Sequence, residues 1–450
     1  MRSISIATAL VAALASAPSF AFKIDPWSYR PPGISPQRIE AQLETFLRNP
    51  RMLLLGPIAF GSRLPAAMGQ LKEATHENLT ELSIRCALAP LARGQAPSAS
   101  ITSAVSPADA PAPASSGLIT RCAGRSGALL IHAPDLSEEQ QDLIRAVRFN
   151  DAPPVKLASG LMSLIVPSAL VCGEVRVPEN AGCWALIMGH AAGLAAADPG
   201  NTEFGKAGNF LYRTHFGDMQ FMHAMAARGE TLARTQERIL LWMRFTWQVA
   251  TGEIATDARI DTLAPEFGRD ILASFDDRTV AQFFETRSGT PPERIRRLAL
   301  GALLHTVQDS FADGHAERDA HEPGAEAHFG AIRAFLNYGC QSDVKHGEAD
   351  RAAHYKWFSD ATHEQKSPVT LGAQLIDFAL MRKLGWEAPI SAGGVSVAQY
   401  VSDTMFPIVT ANALNLAGAG APFLRTRTPA GAVPNDSMQA APPPEIECKS

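Results

Sequence analysis

From Ser137 onward, apolar residues recur every three or four positions, the period of a helix with one buried face. The stretches "SEEQQDLIRAV", "AGCWALIMGHAAGLAAAD", "MQFMHAMAARGETLARTQERILLWMRFTWQVATG" and "PPERIRRLALGALLHTVQDSF" all carry it. Pro291-Pro292 followed by Glu293 predicts a helix start, because a fixed φ and a negative charge both suit an N-terminus. "GAEAHFGAIRAFLNYG" and "TLGAQLIDFALMRKLG" read as helices that stop at a glycine. Upstream, "KIDPWSYRPPGISPQRIEAQL" turns from Pro-rich to helical, and "GQLKEATHENLTELSIRCALAPLA" predicts a further helix. Alternating strand patterns are confined to "GALLIHAP" and "CGEVRVP". The Pro/Ala/Ser tract 94–117 has little to bury and reads as a solvated insert, and the tail 417–450 as loosely ordered. The expected fold is all-α: one multi-helix domain over 22–416 with loop insertions.

Composition sharpens this picture. A chain of 450 residues, 46% hydrophobic and 19% charged, can bury a substantial core. Residues Met1 to Ala21 have a basic start at Arg2, an apolar middle "IATALVAALA" and a small-x-small end, Ser19-Phe20-Ala21, so a signal peptide is expected. The mature chain would begin at Phe22 and be secreted or periplasmic. Losing Arg2 moves the formal charge from −5 to −5 − 1 = −6, which offers no broad attraction for nucleic acid or anionic membrane. Six cysteines in an oxidising compartment favour disulfides, with Cys172–Cys183 and Cys86–Cys122 the preferred pairings among fifteen. "GNTEFGKA" falls short of a phosphate-binding loop, because Ala207 replaces the magnesium-binding hydroxyl and the preceding "AAGLAAAD" is helical.

The chemistry concentrates in "GALLHTVQDSFADGHAER". His305 and Asp309, four apart, project from one helix face. A break near Gly314 lets His315 turn back toward the same place. An ion pair supporting the core would explain one His–Asp couple, but the pattern recurs. His346 and Asp350 in "KHGEAD" are again four apart; Asp198 and His215 are joined by a loop; His76 opens an amphipathic helix. His190, His223, His321, His328, His354 and His363 read as packed or surface residues, with His354 the best reserve ligand. Phe216, Phe311 and Tyr338 are candidates to line a cleft.

The spacing H-x3-D-x5-H in "HTVQDSFADGH" resembles that of the zinc-dependent phospholipase C and P1/S1 nuclease superfamily. "AAD…THFGD" and "HGEAD" are similar to further family segments, in the same order, so the resemblance runs from His76 to Asp350. It implies an exported all-helical phosphoesterase with two or three zinc ions. Asp198, His215, His305 and Asp309 would surround one ion; His315, His346 and Asp350 a second; Asp309 would bridge to a third completed by His76. The chain departs from the pattern at Phe22, where the family has a mature N-terminal Trp, at the missing Pro before His315, and at Asp350 in place of Glu.

Zinc neutralises a phosphodiester and lowers the pKa of bound water to about 7, supplying a nucleophile at neutral pH. By resemblance Asp198 would hold or deprotonate that water. The expected activity is therefore phospholipase C-type hydrolysis of a phospholipid or other phosphodiester, with transient membrane-surface contact. Two alternatives stand beside it: a single-strand nuclease, the one case in which nucleic acid is a partner, and an exported helical protein that binds zinc without turnover.

Overall fold

A computed structural model describes residues 29, 33–47, 74–88, 136–156, 174–175, 181–197, 210–272, 274–318, 330–338, 367–392, 394–409, 425–426 and 446–447. Of these residues 60% are helical and 6% are in strands, so the molecule is all-α in class. The signal segment 1–21, the insert 94–117, "GALLIHAP" and "GNTEFGKA" lie outside the described residues.

In chain order the first helices are α1 (Pro36–Leu47), α2 (Thr75–Leu88) and α3 (Glu138–Ala146), the last running into a 3₁₀ turn at Val147–Phe149. Two-residue strands β1 (Val155–Lys156) and β2 (Glu174–Val175) pair antiparallel, the second falling within "CGEVRVP". Then come α4 (Ala181–Ala197), α5 (Phe210–His215), a 3₁₀ turn at Gln220–His223, α6 (Leu232–Thr251), α7 (Pro265–Asp270), α8 (Val280–Phe284) and α9 (Pro292–Asp309). Strands β3 (Ala316–Arg318) and β4 (Ile332–Phe335) form a hairpin-like pair. α10 (Pro368–Ile376) and α11 (Val397–Tyr400) each continue into a wide π turn, at Asp377–Met381 and Val401–Met405. In the tail, β5 (Arg425–Thr426) pairs with β6 (Ile446–Glu447).

Local chemistry sets the helix ends. Ser137 and Gln140 form a reciprocal capping box at the start of α3: Gln140 N donates to Ser137 Oγ at 3.3 Å, and Ser137 N to Gln140 Oε1 at 2.8 Å. Thr231 caps α6, and Gly252, at φ 85°, stops it. α10 opens on Ser367 followed by Pro368 at the first helical position.

Two expected helices are otherwise in the structure. "MQFMHAM…QVATG" is not one continuous helix. Ala224 (φ 49°) and Gly229 (φ 78°) take left-handed backbone between the 3₁₀ turn and α6, and the Thr231 cap restarts the helix. In "GAEAHFGAIRAFLNYG", Ile332–Phe335 is strand β4, not helix. Its Ile332 and Ala334 are buried on either side of exposed Arg333, a period of two, and the strand pairs with the chain leaving His315.

α9 is the central element. Every residue from Ala299 to Asp309 is buried, as expected of a helix enclosed on all sides. It packs against α6, α3, the Val147–Phe149 turn and α10, and α10 packs in turn on α2. Gly301 permits the closest of these approaches: a Cβ there would lie 2.4 Å from the Ala146 carbonyl carbon. Around α6, α8 and the Val147–Phe149 turn, Phe149, Phe210, Trp242, Phe245, Phe275, Phe283 and Phe284 form an aromatic core; Phe149 and Phe284 lie 4.9 Å apart and Phe245 stacks on Phe284 at 5.9 Å. Trp242 Nε1 donates to Thr306 Oγ1 at 3.1 Å, tying this core to α9.

Cys86 and Cys183 are both disulfide-bonded. Cys122, Cys172, Cys340 and Cys448, and with them the expected pairings, lie outside the described residues. Among the described residues no helix is long and apolar enough to cross a membrane.

Candidate metal centre

Each donor of the site stands where an element begins, ends or turns. His76 is the second residue of α2; Asp151 follows the Val147–Phe149 turn; His215 ends α5; His223 ends the second 3₁₀ turn. His305 and Asp309 occupy the last two turns of α9, and His315 sits in the loop beyond it. Helix C-termini expose carbonyl oxygens and negative partial charge, so several of them meeting at one place favour a cation there.

Asp309 is the hub. Its Oδ2 lies 2.9 Å from both His305 Nε2 and His223 Nδ1, which are themselves 3.1 Å apart. His315 Nδ1 is 3.5 Å from the same oxygen. The other carboxylate oxygen, Oδ1, is buried, accepts no hydrogen bond, and has His76 Nε2 3.3 Å away. Asp151 Oδ1 approaches His305 Nε2 at 3.7 Å and His223 Nδ1 at 4.0 Å.

These seven side chains make three overlapping groups, each of which could hold a metal ion. The groups are His76, His305 and Asp309; His223, Asp309 and His315; and Asp151, His215 and His223, with one donor atom per residue and all donors within 4.8 Å of one another. Asp309 belongs to the first two groups and His223 to the last two. A carboxylate can serve two ions through its two oxygens. His223 Nε2 faces the Asn150 carbonyl at 3.2 Å, so this imidazole has one nitrogen to give.

The histidine rings are held by oxygen acceptors on their other nitrogens. His305 Nδ1 faces the Val147 carbonyl at 2.8 Å, His215 Nδ1 that of Leu211 at 2.9 Å, and His315 Nδ1 that of His223 at 2.7 Å. For His76 the anchor is a side chain, Gln308 Oε1, at 2.9 Å from Nδ1. Such outer partners fix ring orientation and tautomer in metal sites. Asn150 ties the surrounding elements together, its amide donating to Met222 O at 2.6 Å, Ala302 O at 3.1 Å and Thr306 Oγ1 at 3.2 Å.

Burial and charge set the protonation pattern. Burial pushes His223 down to about 4, against the pull of its hydrogen bond to Asp309. Burial, reinforced by the neighbouring His223, holds His215 well below its ordinary value. For His305 burial again opposes the charged form, but the carboxylates of Asp309 and Asp151 outweigh it and bring its pKa up to about 9. Burial opposes ionisation of Asp309 too, yet His305, His315 and His76 keep its carboxyl well below the usual range. Burial thus favours the neutral rings of His215 and His223, while the carboxylates favour a protonated His305 beside an ionised Asp309.

Of the residues singled out in the sequence, the structure brings together His76, His215, His305, Asp309 and His315. Asp198, His346 and Asp350 lie outside the described residues, as do His321, His328, His354 and His363. His305 stacks on His76 at 4.0 Å and shares a group with it and Asp309, while the expected sets that include Asp198, His346 and Asp350 reach outside the described residues. His223, expected to be a packed or surface residue, stands in two of the groups. Asp151 drew no attention in the sequence. Phe216 and Tyr338 meet edge-on at 4.7 Å near His215, and Phe311 lies under Arg318; all three rings are buried. Compared with protein-family models, curated proteins and solved structures, the chain matches none.

Proposed function

We propose that this chain is an exported zinc-dependent phosphoesterase, acting as a phospholipase C on a phospholipid phosphodiester. The observation that carries the reading is the convergence of five imidazoles and two carboxylates, from separate segments, into three groups sharing Asp309 and His223. The donor set fits zinc: imidazole nitrogen suits borderline transition metals, whereas calcium and magnesium prefer all-oxygen cages. Asp309 Oδ1, buried without a hydrogen bond, is an orphaned acceptor that a cation would satisfy. Export is supported by the amino-terminal pattern and by the disulfide-bonded state of Cys86 and Cys183.

On this reading His76, His305 and Asp309 would hold one ion, Asp309 and His315 would hold a second, and His223 would join either this group or Asp151 and His215. Bound zinc would supply positive charge for the phosphate and acidify a coordinated water. The chain's residues do the rest. The carbonyls of Val147, Leu211, Asn150 and His223 orient the rings, and the buried surroundings hold His215 and His223 neutral and ready to ligate. Asp151, a carboxylate at the edge of the third group, is placed to accept a proton from an attacking water, the role expected of Asp198. Tests are metal analysis of the purified mature protein and assays on a phosphocholine ester and on single-stranded DNA, before and after chelation. The proposal requires bound zinc and chelator-sensitive hydrolysis of the ester. Cleavage of DNA alone would support the nuclease reading. Zinc without turnover, with loss of helix on chelation, would mark a structural site.

A further inference from the structure

Gln308 lies between the two metal-site residues of α9 in the chain, yet its side chain turns away from Asp309 toward α2. Its amide nitrogen donates to Thr80 Oγ1 at 2.9 Å, and its amide oxygen faces His76 Nδ1, also at 2.9 Å. Gln308 and Thr80 are fully enclosed, with accessibilities of 1% and 0%. The orientation of the amide decides what His76 meets: rotated by half a turn it would put an NH2 group against the ring and make Nδ1 the acceptor, with the Thr80 hydroxyl turned to donate instead of accept. Anchored as it is, the amide oxygen calls for a proton on Nδ1. A neutral imidazole with Nδ1–H has its lone pair on Nε2, the atom 3.3 Å from Asp309 Oδ1.

We propose that Gln308 is a positioning residue that selects the Nδ1–H tautomer of His76, so that Nε2 is the atom given to the ion held with His305 and Asp309. The inference rests on the metal reading above for what Nε2 does, and on the Thr80–Gln308–His76 chain for which nitrogen carries the proton. His305, His215, His315 and His223 lean on backbone carbonyls, which substitution leaves in place. At His76 the anchor is written in a side chain, so it can be removed and restored.

The test uses full-length mature protein, stripped of metal and labelled with ¹⁵N-histidine, as wild type, Gln308→Met and Gln308→Glu. Methionine keeps the volume and removes both polar contacts; glutamate keeps an acceptor for Nδ1–H. Long-range ¹H–¹⁵N spectra report the His76 tautomer without metal, with His76→Gln supplying the assignment. Zinc titration against a competing chelator then gives stoichiometry and affinity. The expected result is Nδ1–H in the wild type and in Gln308→Glu. In Gln308→Met the tautomers should mix, and affinity at one ion should fall by about 10–100-fold with the remaining zinc unchanged. An Nε2–H wild-type ring, or a Met variant that keeps both tautomer and affinity, overturns the proposal. A wild type that holds Nδ1–H but takes up no zinc overturns the metal reading instead and leaves the tautomer lock standing. If Gln308→Met fails to fold, the wild-type tautomer and the zinc affinity of Gln308→Glu still decide it.

Discussion

With His305 Nε2 and His223 Nδ1 both 2.9 Å from Asp309 Oδ2, replacing Asp309 by alanine removes the main charge that favours protonation of the fully buried His305 and leaves both rings without their shared carboxylate. Breaking a buried charge pair from one side costs about 3–5 kcal/mol. Metal-free Asp309→Ala should therefore unfold at clearly lower denaturant, and zinc-loaded protein should lose both metal and hydrolysis; retained stoichiometry and rate would contradict the bridging role. Acidity acts on the same residues. Because His223 titrates near 4 when folded and near 6.5 when unfolded, its contribution is complete above pH 6.5 and is lost as pH falls toward 4. His215 acts in the same direction. His305, raised to about 9, contributes fully below pH 6.5 and loses that contribution as pH rises through 9. These groups together place the stability maximum of the metal-free protein near pH 6.5, which denaturant midpoints across pH 4–10 would check. Zinc uptake at pH 7 should also release a proton, since His305 must surrender Nε2–H; pH-stat titration measures it. The i, i+4 pair His305–Asp309 and the return of His315 after Gly314 were legible in the sequence, because helix period and a glycine break dictate them. His223 carried the same signal as His305, a histidine amid apolar Phe221, Met222 and Met225. Asp151 carried none, since its place depends on how the turn after α3 docks on α9.

α9 and the end of α3 meet at Gly301, against Ala146, and the contact sets where His305 finds the next carbonyl, that of Val147. A methyl group at Gly301 would collide with Ala146 main-chain atoms at 2.4–2.7 Å, leaving the helix to shift. Gly301→Ala should cost about 1–3 kcal/mol, the usual range for overpacking, and weaken metal binding by pulling His305 Nδ1 from Val147 O. Thermal unfolding and zinc titration would show the two effects together; a loss of stability with unchanged affinity would refute the link. The helix starts at Ser137 and Pro292 could be read locally, because capping is a matter of a few adjacent residues, whereas the caps at Thr231 and Ser367 were not marked in the apolar period. β4 could not. Its four residues lie within a helix-like run, and pairing with β3 decided the outcome. Arg318 shows how such pairing is held: buried, it donates to Ser310 O at 2.9 Å, Ser310 Oγ at 3.0 Å and Met405 O at 2.7 Å, joining the end of α9 to the second π turn.

On the scale of the whole molecule, the aromatic core and the metal centre are separate dependencies of α9. The first is hydrophobic and the second polar, and Trp242 and Asn150 touch α9 between them. Chelation should accordingly abolish hydrolysis while leaving most of the helical circular dichroism, and zinc should restore the rate; collapse of the helix signal would instead indicate a structural ion. All-α class was visible in the period of the apolar residues, whereas the order of packing around α9 was not, since periodicity says which face is buried but not against what. The spread of the donors has a temporal consequence. His76 and Gln308 are 232 positions apart, and no short stretch of the chain holds more than three of the seven donors of the site, His305, Asp309 and His315. Closing a loop of that length must precede full coordination. On the proposed reading zinc would arrive late, captured by a scaffold already built, and refolding kinetics followed by tryptophan fluorescence should be the same with or without it.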